Sequence, residues 1–484
     1  MDFERRSGCE GSEKMETQAS EQNSLESVQR NNPSTSEVDE HGKWIKPITG
    51  KLAKLTDNPS SNLSIYKVPS KLRKLKENAY RPCIVSIGPF HHGESDLLAM
   101  EERKWRYMLS LLCRTSDPKK NLGECVIAIS KLEKNACQYY AGHTINYYKE
   151  AEASLVEILL VDGCFILELL LRYSDKKFKD KDDPITNNVW MVPSIQRDLA
   201  LLENQIPFIV ILTLFATLKS KSKPNDPLAS ASSCSLPEIA MLFFQLVHNS
   251  QKPSISKELY EDDKHLLDML HKVYLPNIPV ICVSSAKYPE DNDAWGFRHY
   301  ATKLSEAGIV FEKGTQGGLL DISFHEGVLV IPPFSIDETL DLRLRNLIAF
   351  EQCSFRTRHH ISSYVLLMSR LIQSSNDIIF LQGKGIITKI PGTAEDASTF
   401  FSSMCNGVVF RDFDFTELCE NVNVYANSRW DCHRIKALLL VKCSRYLFEL
   451  FRDYFSNPWK AASVFAAVVL LVLTFLQTIY AMRS

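Results

Sequence analysis

The sequence predicts an α+β protein, predominantly α-helical, with a small antiparallel β segment near 308–334 and a C-terminal transmembrane helix. Three observations carry that expectation. Apolar residues recur at helical spacing over long stretches of the chain. Short β-branched runs separated by Gly-containing turns gather at 308–334. The stretch 461–482, AASVFAAVVLLVLTFLQTIYAM, carries no charge over roughly 22 residues, enough to cross a bilayer as a helix.

Residues 1–60 are polar and acid-leaning, bury too little apolar surface to offset chain entropy, and read as a disordered tail. A helix-rich soluble domain is expected over 61–456. Within it, Ile84, Val85 and Ile87 between Pro82 and Pro89 mark an extended segment. From Glu94 the pattern turns helical, with Leu98, Trp105, Met108, Leu109 and Leu112 assigned to one inward face and a stop before Asp117-Pro118. Further helices are expected at 123–140, at about 145–173 and at 197–218, the last interrupted by Pro207. Residues 219–235 form a Lys/Ser/Pro-rich internal linker. A capping box at Ser235 to Glu238 opens the next helix. Residues 308–313, 319–324 and 328–331 are the expected antiparallel strands. A second capping box, Ser335 to Glu338, opens a helix with the stripe Leu340, Leu344, Leu347 and Ile348. Helices at 362–374, 395–405 and 428–455 follow, and Pro458 breaks the chain before the apolar run. Trp459, Lys460, Tyr480 and Arg483 flank that run as interfacial residues do.

The chain has 484 residues, 45% of them hydrophobic and 24% charged, which is the composition of a folded protein. A net charge of -2 gives no electrostatic reason to expect nucleic acid. The 13 cysteines are scattered singletons without a CxxC pair, so a zinc ribbon or thioredoxin-like site has no support. No metal and no cofactor are expected. The opening MDFERRSGCEGSEK lacks the apolar core of a secretory signal.

Polar residues in apolar surroundings supply the site candidates. His91-His92-Gly93 could ligate a metal or supply a base near neutral pH. No His/Glu pair at i, i+4 accompanies them, and a tight turn is the preferred reading. Asp162 interrupts an apolar run, with Cys164 two residues on. An Asp–Cys–His group with Cys164 as nucleophile and His91 or His92 as base is the catalytic reading. A hydrogen-bonded core carboxylate beside a buried thiol is preferred. Glu203-Asn204-Gln205 precede Pro207, where their side chains are expected to hold a kink, or else to form a polar binding notch. Asp321 and His325 fall on one face of the expected sheet by alternation. Lys71, Arg73, Lys74 and Lys76 read as a solvated basic face, with anionic headgroups as the other possible contact. Gly383-Lys384-Gly385 is too short for a phosphate loop.

Several blocks together resemble the plant family known as domain of unknown function 247. They are VPSKLRKLKENAYRPCIVSIGPFHHG at 68–93, LLAMEERKWRYM at 97–108, VDGCFILELLLR at 161–172 and DLALLENQIPFIV at 198–210. ATKLSEAGIVF at 301–311, LLDISFHEGVLVIPPF at 319–334, RNLIAFEQC at 345–353 and NPWKAASVFAAVVLLVLTFLQTIYA at 457–481 complete the set. The resemblance implies a plant protein with a helix-rich soluble region and a C-terminal span. Members of that family have been connected with self-incompatibility recognition in grasses, which implies binding rather than chemistry.

The expectation is therefore a single-pass membrane-anchored protein of unknown molecular activity, recognising a protein or peptide partner and binding no nucleic acid. No catalytic residue is assigned, and His91, His92, Asp162, Glu203 and Asn204 are the binding candidates. The alternative is a membrane-associated enzyme with a site around His91, His92, Asp162 and Cys164. The expected location is the plasma membrane or an endomembrane, with 1–456 facing the cytosol. Scattered cysteines fit that reducing side, as do Arg445, Arg452 and Lys460 before the span.

Overall fold

The computed structural model describes residues 45, 47–50, 62–141, 154–174, 183–222, 228, 236–244, 264–274, 295–315, 318–354, 357–411, 413–427, 466, 469–474 and 476–478. The chain divides into Met1–Ser61 and Asn62–Ser484. In the first unit the described residues, 45 and 47–50, are helical and exposed. The disordered tail expected at 1–60 otherwise lies outside the described residues.

The second unit is built around helix α4 (Leu155–Ser174), in which every residue from Ile158 to Arg172 is buried. A helix apolar on all sides must be surrounded, and this one is. Helices α2 (Leu98–Cys113), α3 (Pro118–Cys137), α6 (Phe208–Lys219) and α7 (Leu236–Phe243) pack against it. Gly163 allows α6 to come close, because a Cβ there would lie 2.6 Å from Leu214 and 3.2 Å from Val210. Ahead of these lies the short helix α1 (Ser70–Arg73). Helices α5 (Met191–Asp198) and α8 (Leu266–Val273) complete this half.

The remaining elements continue the same apolar core, which extends from Tyr66 to Ala426. Helix α9 (Ala301–Glu306) leads into β1 (Val310–Lys313), β2 (Ser323–His325) and β3 (Val328–Ile331). Glu326 and Gly327, with φ of 50° and 84°, form the tight turn between β2 and β3, where positive φ at both positions matches the strand twist. β4 (Phe334–Ser335) then pairs in parallel with β5 (Ile387–Lys389). Helices α10 (Glu338–Cys353), α11 (His360–Leu371), α12 (Ser375–Gly383), α13 (Ala394–Ser398), α14 (Phe400–Cys405) and α15 (Thr416–Asn427) make up the rest.

The fold is mostly helical, as expected, but several expectations are corrected. Among the described residues no helix is long and apolar enough to cross a membrane, so the transmembrane helix expected at 461–482 is not supported. A span needs about 20 consecutive helical residues. The described part of this stretch is helical at 466, 469–474 and 476–478, a longest run of six residues. The antiparallel segment is instead a mixed sheet, of order β1-β3-β2. β1 lies beside β3, two strands on in the chain, and runs parallel to it, with Val310 opposite Val328 and Lys313 opposite Ile331.

The helix expected at 197–218 is two helices separated by a buried loop, 199–207, and α6 starts after Pro207. Proline has no N–H to continue a preceding helix and sits readily where a new one begins. On α2 the inward face carries Met100, Lys104, Tyr107, Met108, Leu111 and Leu112, whereas Leu98, Trp105 and Leu109 face outward. The cap of α10 is Asp337, whose side chain accepts from Leu340 N at 2.8 Å, while Ser335 belongs to β4. The stretch 395–405 divides at Thr399. The helix expected at 428–455, the capping residue Ser235, and linker residues 223–227 and 229–235 lie outside the described residues.

Candidate functional site

The segment 83–93 belongs to no strand, and its stretch 85–89 is buried in the core. Its buried amides and carbonyls still need partners. Side chains from three helices and one loop supply them. Asp198, at the end of α5, accepts from three successive amides: Cys83 N at 3.0 Å, Ile84 N at 2.7 Å and Val85 N at 3.1 Å. Asn204, in the 199–207 loop, accepts from Ile87 N at 2.7 Å and donates to Val85 O and Asp198 O, both at 3.0 Å. Asp162, on α4, accepts from Gly88 N at 2.8 Å.

Lys104 of α2 completes the lattice. Its ammonium, fully buried, donates to Ser86 O at 2.7 Å and to Asp162 at 2.7 Å, and lies 2.8 Å from Glu101. Burial works against that charge, but the carboxylates of Asp162 and Glu101 outweigh it and its pKa is raised. Burial also raises Asp162, despite the opposing pull of Lys104 and the Gly88 amide. With both oxygens bonded to donors, the ionised pair is the arrangement the geometry supports. Gly88 has a φ of 73°, and a Cβ there would lie 2.3 Å from Gln205 O, so the backbone of 199–207 touches the segment directly.

The end of the segment is fastened by a chain of charges. Glu203 accepts from Val68 N at 2.5 Å and pairs with Arg73. His91 Nδ1 is 2.7 Å from Glu94, and its Nε2 is 3.5 Å from Glu203 without hydrogen-bond geometry. Arg81 holds the other oxygen of Glu94 at 2.9 Å. Burial would raise Glu203, but His91, Arg73 and the Val68 amide outweigh it and lower it below the ordinary carboxylate range. Glu94 is lowered in the same way, burial being outweighed by His91 and Arg81. His92 is half-buried, and its Nδ1 has no hydrogen-bond partner among the described residues.

The structure thus joins Asp162, Asn204, Glu203 and His91 to one segment, although they are far apart in sequence. Cys164 is elsewhere. Residues i and i+2 of a helix do not share a face. Asp162 accordingly meets Lys104 and Gly88, while Cys164 is fully buried near Cys125 and Glu168. Burial raises the Cys164 thiol well above its usual value, and Cys125 is likewise pushed up to about 11. Asp321 caps a turn by accepting from Gly318 N, and His325 is exposed at the end of β2. Arg73 and Lys76 of the basic run are bound to Glu203 and Asp341. Among the described residues no group of three or more His, Cys, Asp or Glu is placed to hold a metal ion.

Sequence reasoning missed Lys104 and Asp198. Lys104 sits four residues from both Met100 and Met108, inside the buried stripe of α2, and that spacing is the signal that could have exposed it. The same use of a buried carboxylate recurs at Glu351, which accepts from Ile361 N, Ser362 N and Ser362 Oγ at the start of α11 and meets His271 at 2.8 Å.

A family model described as plant protein of unknown function, domain of unknown function 247, matches residues 65–473. Among curated proteins the chain is similar to a UPF0481 protein of Arabidopsis thaliana. The two are 28% identical over 442 residues, covering 87% of this chain and 86% of that relative. A putative UPF0481 protein of the same plant is 23% identical over 500 residues, covering 86% and 89%. No solved structure matches.

Proposed function

We propose that this chain, which belongs to the plant family domain of unknown function 247, is a non-catalytic module that recognises a protein or peptide partner. One observation carries the reading. Of the polar side chains that sequence marks as candidates, Asp162, Asn204 and Glu203 are engaged by backbone amides and counter-charges of the chain itself. Asp162, Asn204 and Glu203 hold the 68–94 segment in place, which leaves their lone pairs and protons little capacity for a substrate.

The enzyme alternative draws on His91 Nε2 and His92 Nδ1, ring nitrogens without a hydrogen bond among the described residues. It also needs Cys164 as a thiolate, and burial opposes that form. Timed alkylation of the native protein at neutral pH, read by mass spectrometry, separates the two. Of the described cysteines, Cys83 and Cys113 are exposed and should react before Cys164, which should react only on unfolding. Native Cys164 reacting as fast as Cys83 would overturn the non-catalytic reading. Partner recognition is tested by proximity labelling in plant tissue, followed by titration of each labelled protein against the purified chain. Saturable binding supports it, and the absence of saturable binding for every labelled protein counts against it.

A further inference from the structure

Helix α2 is apolar on two sides. One side is packed on α4, and the other, Leu98, Trp105 and Leu109, is 54%, 47% and 60% exposed. Steps of seven and four residues place these three within an arc of roughly 40° on a helix of 3.6 residues per turn. Single exposed apolar residues are ordinary, but three aligned ones with a central tryptophan are not scattered. Beside this stripe, on one flank and turned roughly 40° and 80° from Leu98, lie Glu102 and Arg106, joined at 2.6 Å and 75% and 76% exposed.

We propose that this face is the two-fold interface of a homodimer, with α2 of one copy lying antiparallel on α2 of the other. The charge pattern selects this occupant. In a parallel pairing like would face like, Glu102 against Glu102 and Arg106 against Arg106. An antiparallel pairing centred between residues 103 and 104 places Leu98 opposite the partner's Leu109. It sets Glu102 beside the partner's Arg106, giving four charges of alternating sign along one flank of the contact. A two-fold interface requires such self-complementarity, and the flanking charges supply it in sign. Trp105 lies near the centre, where an aromatic anchor contributes most. A helix of 16 residues offers a contact at the small end of specific interfaces, so dissociation in about the micromolar range is expected.

The inference stands independently of recognition of another protein, since either could hold without the other. Sedimentation velocity of the full chain, up to about 100 µM, is the test. The wild type should shift from monomer toward dimer mass as concentration rises. Leu98→Asp with Leu109→Asp should leave a monomer whose thermal midpoint, compared at a concentration where the wild type is also monomeric, is close to the wild type's, because both positions are more than half exposed. Glu102→Arg alone, and Arg106→Glu alone, should each weaken association about tenfold. The double exchange, Glu102→Arg with Arg106→Glu, should restore it. A wild type that stays monomeric overturns the proposal. So does association unaffected by the Asp pair, as contact through the exposed residues 469–474 would give, and so does a double exchange that fails to restore what the single exchanges lose.

Discussion

Replacing Asn204 by Leu should destabilise the protein by about 2 kcal/mol, although the two side chains have the same number of heavy atoms. Asn204 is fully buried and its amide makes three bonds to backbone. Asp198 O keeps a second donor, Leu201 N, so the substitution leaves Ile87 N–H and Val85 C=O as the two orphaned groups. An unsatisfied buried group costs about 1–3 kcal/mol, or about 2–6 for the pair. Burying a leucine in place of an amide returns about 1.5–2 kcal/mol. Urea denaturation gives the total, and hydrogen exchange across 83–89 shows whether the loss is local. The Ile87 amide should lose more protection than the amides of α4. A variant within about 0.5 kcal/mol of wild type, with 83–89 still protected, would refute the assignment of Asn204 as the clamp of this segment.

Gly88→Ala should cost at least about 2–3 kcal/mol, because it forces a side chain into a left-handed backbone conformation and against Gln205 O. A lower thermal midpoint would be the readout, and a midpoint unchanged from wild type would contradict it. His265 should make the fold acid-sensitive. Its Nδ1 accepts from Asp268 N, its Nε2 lies 3.2 Å from Ser64 O, and burial lowers its pKa from 6.5 to about 4. Since the folded pKa lies below the unfolded one, the stability is present above pH 6.5 and is lost as pH falls toward about 4, by up to about 3 kcal/mol. His265→Asn keeps a capping oxygen and removes the titration, so its stability should vary less between pH 6.5 and 4 than the wild type's. An equal slope in both proteins would assign the acid sensitivity elsewhere.

Elements whose signal is local were legible in the sequence. The apolar run of α4 has only one interpretation, and a buried helix is what forms. The turn at Glu326-Gly327 between β2 and β3 is equally local. Elements decided by distant partners were not legible. Both faces of α2 are apolar, so periodicity alone could not say whether Met100 and Tyr107 or Leu98 and Trp105 would meet α4. The parallel pairing of β1 with β3 depends on which edge a strand takes, a choice that no property of 310–313 encodes. At 199–207 three adjacent polar residues before a proline looked like repair of a kink. They instead satisfy the backbone of this loop and of segments more than 100 residues earlier, including Val68 and Ile87.

The candidate residues were found for a sound reason and assigned by a weaker one. A polar side chain among apolar neighbours must be bonded, so Asp162, Glu203 and Asn204 could be picked out without any fold. Whether such a group serves chemistry depends on what capacity remains once its own chain has been satisfied, and that is set by partners sequence does not reveal. Lys104 is the decisive case. Unpaired, Asp162 would be a buried carboxylate free to accept a proton. With Lys104 on one oxygen and the Gly88 amide on the other, both oxygens are committed. Lys104→Met therefore removes the counter-charge while retaining most of the side-chain volume. It should destabilise the fold by about 3–5 kcal/mol, because a buried pair is broken by loss of one partner. Lys104→Met with Asp162→Asn should recover part of that loss, since the amide needs no counter-charge and can still accept from Gly88 N. A double variant no more stable than Lys104→Met alone would show that Asp162 is not held by this pair, and would reopen a chemical role for its carboxylate.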